Sequence, residues 1–126
     1  MFTIEKDGTI NVTRGDILYF DASAQDKETK VPYIFQPGDI VRMAVYGKKD
    51  CKNVVMQKDF LVELPTEKVA IFLDKEDTTF GDIINKPTVY WYEIVLNPDE
   101  KPQTIVAYDE EGAKIFRLYP EGGSLR

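Results

Sequence analysis

The sequence predicts an all-β fold: an immunoglobulin-like antiparallel β-sandwich of about eight or nine short strands with at most one short helical turn. Three observations predict it. Gly, Pro, Asn and Asp recur along the whole length, and the runs between them are short. Several of those runs alternate apolar and polar residues with period two. No segment sustains the apolar period of an amphipathic helix. An antiparallel barrel satisfies the same observations and stands as the alternative architecture.

The elements follow in order. Residues 9–12 come after a turn at Asp7-Gly8 and read as a strand. Gly15 opens residues 16–21, in which Leu18 and Phe20 alternate with Ile17 and Tyr19. Residues 22–30 are polar and read as a loop, and the short run 33–36 ends at the turn pair Pro37-Gly38. Residues 39–46 place Val41, Met43 and Val45 on one face and Arg42 on the other. Residues 53–62 are apolar-rich, with a break in alternation near Gln57 and Lys58 that suggests a bulge. Residues 68–73 put Val69, Ile71 and Leu73 together with Lys68 opposite, and residues 74–85 are the one place for a helical turn. Residues 89–96 carry Tyr90, Tyr92, Ile94 and Leu96 on a single apolar face. Residues 103–108 and 114–119 then read as a hairpin around Glu110-Glu111-Gly112. Residues 1–120 are expected to form one domain and 121–126 a frayed tail.

Composition narrows the function. The 126 residues suffice for a core without disulfides or metal. A net charge of -6 opposes nonspecific nucleic-acid binding and electrostatic docking on an anionic membrane. With no histidine, neither a Ser-His-Asp triad nor a His zinc site can be built. Cys51 is the only cysteine, which excludes an intrachain disulfide and the Cys…Trp…Cys pattern of antibody domains. No stretch approaches the roughly 18 apolar residues of a membrane span, and the first residues lack the pattern of a signal peptide. Synthesis in the cytoplasm is therefore expected, and no cofactor.

Candidate motifs are weak. Arg14-Gly15-Asp16 spells an adhesion tripeptide where a turn feeds a strand, and such short matches arise by chance. Asp74, Glu76, Asp77 and Asp82 cluster, but a calcium loop counted from Asp74 has Thr79 at its sixth position and Asn85 at its twelfth, so no metal site is expected. Asp109-Glu110-Glu111 reads as a solvated turn instead of a glycosidase pair. Gly15-Asp16-Ile17, Gly38-Asp39-Ile40 and Gly81-Asp82-Ile83 recur at unequal spacing, as turn signals. No phosphate loop, nucleophile elbow or dinucleotide fingerprint is present, and no catalytic activity is expected. Aromatic residues carry the positive signal. Alternation sets Trp91 opposite Tyr90 and Tyr92, beside Val89, Glu93 and Val95; Glu93 suggests a face that meets solvent or a partner, and the alternative is that Trp91 tucks against a covering loop or the second sheet. Trp91 and Val95 are the first interface candidates, with Tyr19 and Tyr46 behind them.

Several stretches together carry a resemblance: Thr9-Ile10-Asn11-Val12-Thr13-Arg14-Gly15-Asp16, then Tyr33-Ile34-Phe35-Gln36-Pro37-Gly38-Asp39-Ile40-Val41-Arg42-Met43, Met56-Gln57-Lys58-Asp59-Phe60, Glu76-Asp77-Thr78 and Tyr90-Trp91-Tyr92-Glu93-Ile94-Val95-Leu96. This order resembles small phage and prophage proteins of Gram-positive bacteria, similar to the N-terminal domain of upper baseplate proteins in lactococcal phages. The resemblance implies a virion component without enzyme activity that packs against other tail or baseplate proteins, or against copies of itself. Full upper baseplate proteins continue into a linker and a region carrying receptor-binding partners. This sequence stops soon after the sandwich, so an assembly role is expected in preference to direct receptor binding. The alternative function is a carbohydrate-binding module using exposed aromatics.

Overall fold

Strands this short do not stand alone, and each finds its hydrogen-bond partners elsewhere in the chain. A computed structural model describes residues 2–26, 28–81, 86–106 and 112–121. Among these residues it shows nine strands and no helix. They are β1 (Phe2–Ile4), β2 (Ile10–Thr13), β3 (Leu18–Ala22), β4 (Ile40–Tyr46), β5 (Val54–Leu61), β6 (Val69–Leu73), β7 (Thr88–Leu96), β8 (Gln103–Val106) and β9 (Lys114–Tyr119). Seven form one sheet in the order β1-β2-β9-β7-β4-β5, with β8 also paired to β7, while β3 and β6 form a second sheet of two. The protein is thus all-β.

Alternation decides which faces meet. Val41, Met43 and Val45 of β4, Tyr92, Ile94 and Leu96 of β7, and Phe116 and Leu118 of β9 point inward. They share one core with Leu18 and Ala22 of β3 and Val69, Ile71 and Leu73 of β6. Each fully buried apolar side chain contributes ~1.5–3 kcal/mol. Phe35 enters the same core from a loop and is fully buried. Phe116 lies against the rings of Phe80 and Tyr92, with centroids at 5.7 and 6.4 Å.

Four expectations need correction. The sheets are mixed, because β2 pairs β9 in parallel (Ile10 opposite Phe116, Val12 opposite Leu118). Residues 33–36 form no strand: Phe35 exchanges both backbone hydrogen bonds with Thr66, at 2.8 and 3.1 Å, as a single bridge. The irregularity in β5 lies at its start, where Val45 faces Met56 and Tyr46 faces Val54, and not at Gln57 and Lys58. β8 and β9 are not partners in a hairpin. Both run antiparallel to β7 on the same edge, β9 opposite Thr88–Tyr92 and β8 opposite Ile94–Leu96. The turn expected between them lies largely outside the described residues, as do Asp82, Asp109 and residues 122–126. One strand, β1, goes beyond the sequence reading. It returns through the Asp7-Gly8 turn, where Gly8 has φ +94° and its N–H donates to Glu5 O (3.0 Å).

The acidic turn after β6 is structural. Asp77 N–H donates to Asp74 Oδ1 (3.1 Å), and Asp74 N–H donates to Asp77 Oδ2 (3.0 Å). Thr78, fully buried, donates its hydroxyl to Asp16 O (2.7 Å) and accepts from Gly15 N–H (3.2 Å), pinning this turn to the entry of β3.

Two measurements test this packing. Phe116→Ala is expected to cost ~3–5 kcal/mol, read as a lower urea midpoint at unchanged slope. Tyr92 is buried, donates to Gly8 O (2.6 Å), and has its hydroxyl pKa pushed up to about 12 by burial and then by Asp7. Its unfolded pKa lies near 10.0, so the unfolded chain deprotonates first. Stability should fall as pH rises from 10 toward 12, and ultraviolet titration should show one phenol ionising late.

Candidate interaction surfaces

Residues that alternate away from the core form ordered rows on the outer face of the large sheet. One row crosses four strands: Val54 of β5, Tyr46 of β4, Trp91 of β7 and Ile115 of β9 stand directly opposite one another in turn. The next row is Gln57, Ala44 and Glu93, and the one beyond it is Asp59, Arg42, Val95 and Thr104. Three of the four candidates, Trp91, Val95 and Tyr46, therefore lie on one face, with Trp91 and Tyr46 in contact register. Trp91 and Val95 are half-buried there.

Tyr46 is too enclosed to be a contact residue. It is only 9% exposed, and its hydroxyl donates to Glu93 at 2.7 Å. Burial, then this bond, pushes its pKa well up. Cys51, in the turn after β4, has its thiol pushed up by burial and by the charges of Glu93 and Asp50, so it is a poor nucleophile. Arg42 bounds the apolar row with charge. It takes Asp59 in a two-pronged pair (2.6 and 3.0 Å) and reaches both oxygens of Asp99 (3.2 and 3.1 Å). That clamp ties β4, β5 and the turn after β7 together and holds the Asp59 carboxyl below its usual range.

Tyr19 lies on the other layer. It faces outward on β3, directly opposite Phe72 of β6. The pair is the most open aromatic surface described on either sheet, Tyr19 being 58% and Phe72 43% exposed. Ile17, two residues earlier, is exposed as well. The Phe2 ring meets Tyr19 edge-on at 5.1 Å, and Lys58 Nζ lies 5.8 Å from the centroids of both Phe60 and Phe72 while bonding Asp77. An aromatic band thus crosses the two-stranded sheet and ends at a cation on β5. Phe72 escaped the sequence reading, although its signal was present: it shares the outward parity of Lys68.

The edges of the large sheet are guarded. Lys58 occupies an inward position on the edge strand β5, opposite Met43, and β5 opens with the irregularity at Val54. An inward charge and a bulge both oppose pairing with another strand. β1 has three residues and β8 four.

Arg14-Gly15-Asp16 is not displayed for adhesion. The Arg14 guanidinium turns back to Phe80 O (3.3 Å) and Glu121 (3.0 Å), leaving its side chain 12% exposed.

Protein-family models, curated proteins and solved structures contain no match to this chain. Among the described residues no helix is long and apolar enough to cross a membrane.

The electrostatic clamps make an acid-stability prediction. Asp59 is held low by Arg42. Asp39 is raised by burial but held below 3.8 by the stronger combined pull of Gln36 N–H, Tyr33 and Asn97. These depressed carboxyls stabilise the fold above pH 3.8, and that contribution is lost as pH falls through their folded values. Urea midpoints should drop from a pH of about 5 to about 2, and Asp59→Asn should flatten the drop.

Proposed function

We propose that this protein is a non-catalytic structural module of a phage or prophage tail or baseplate, acting by protein–protein contact. The observation that carries this reading is the exposed Tyr19–Phe72 pair, flanked by Ile17 and Phe2. Interface cores are enriched in aromatic side chains, and this band is aromatic. Guarded edges on the large sheet favour contact through its face over strand addition there. The outer row of Trp91 and Ile115, with Val95 beyond Glu93, offers a second, shallower face.

The phage context comes from the sequence resemblance, as does the expected location in a virion assembled in the cytoplasm. Two sheets around a shared core of alternating strands support the immunoglobulin-like reading of the architecture.

Light scattering over a concentration series, on wild type and on a Tyr19→Ser/Phe72→Ser double variant, tests this function. Wild-type mass should rise with concentration, or a stable complex should form on co-expression with adjacently encoded tail proteins. The double variant should remain folded and lose either association. A wild-type chain that is monomeric throughout and forms no such complex defeats the proposal.

A further inference from the structure

β3 and β7 end near the start of β8, and there the surface opens into a groove of about 850 Å³. Ligand sites commonly fall in this size range. Leu96, Gln103, Thr104 and Ile105 form one wall, and Gln25 and Tyr33 belong to the other. We infer that this groove binds a neutral oligosaccharide.

The lining chemistry selects that ligand. Gln25 and Gln103 are exposed, and their side chains have no protein hydrogen-bond partner among the described residues. Amides can both donate and accept, as sugar hydroxyls do. The Tyr33 ring supplies an aromatic surface already fixed in place. Its hydroxyl donates to Asp39 Oδ2 at 2.7 Å, and its ring stands edge-on to Phe35 at 5.2 Å and 89°. Ile105 adds apolar surface for the C–H faces of a sugar. Among the described residues no Lys or Arg lines the groove, and the Asp26 carboxylate does, whose charge disfavours phosphates and acidic glycans. Oδ1 of Asp26 is already occupied by the N–H groups of Glu28 and Thr29. An extended peptide is the weaker fit: β8 has four residues and an irregular register against β7 between Ile94 and Val95, and short or bulged edges resist strand addition.

This site uses neither Tyr19 nor Phe72, so it stands or falls separately from the assembly reading. The test is an amide-resolved NMR titration with cellotriose, maltotriose and the N-acetylglucosamine trimer, beside an array of neutral glycans. Shifts should concentrate at Ala24, Gln25, Thr104 and Ile105 with millimolar affinity. Gln25→Ala and Gln103→Ala should each weaken binding about tenfold, and Trp91→Ala should leave it unchanged, since one decade is ~1.4 kcal/mol. A silent groove with all three sugars and a blank array overturns the inference. So do shifts centred on Trp91, or a groove that responds to an extended peptide and to no sugar.

Discussion

The structure depends on β7. It is the longest strand described, nine residues, and both of its edges are occupied. β4 takes one edge, and β9 and β8 share the other end to end. Its side chains divide cleanly, with Tyr92, Ile94 and Leu96 in the core and Trp91, Glu93 and Val95 outside. A slip of one residue would exchange these sets, placing Glu93 in the core and exposing Ile94. The register of β7 therefore fixes the faces of every strand joined to it.

The second layer follows from that constraint. A sheet with one apolar face must cover it, and the β3–β6 pair, with Phe35 from its loop, supplies the cover. A two-stranded sheet has its own outer surface and no further layer to protect it. That is where Tyr19 and Phe72 stand exposed. Elsewhere charge confines the apolar surface: Arg42 with Asp59 and Asp99 closes one end of the large sheet's outer row, and inward Lys58 blocks the β5 edge. Among the described residues, a pair of faces and a groove remain open to a partner.

Local alternation made most of the strands legible, because period two is a property of neighbouring residues. It also placed Trp91 with Val89, Glu93 and Val95, as the register has it. Partnership was less legible. β8 and β9 read as a hairpin because they are adjacent in sequence, yet both carry patterns that suit pairing with β7. Parallel pairing of β2 with β9 joins opposite ends of the chain, and no local signal encodes it. The run 33–36 looked strand-like because Phe35 needs burial, and a loop met that need with one bridge to Thr66.

The same division governs the candidate surfaces. The sequence by itself determined the all-β class, most of the strand positions and the parity that sets Trp91 and Val95 opposite Tyr90 and Tyr92, since each follows from the order of neighbouring side chains. Only the tertiary structure decided that Tyr46 is enclosed beside Glu93, that Phe72 stands beside Tyr19, and that Gln25 and Gln103 face one groove. Exposure and juxtaposition depend on what the rest of the chain places nearby, and residues separated by tens of positions meet only when the two sheets close over their core.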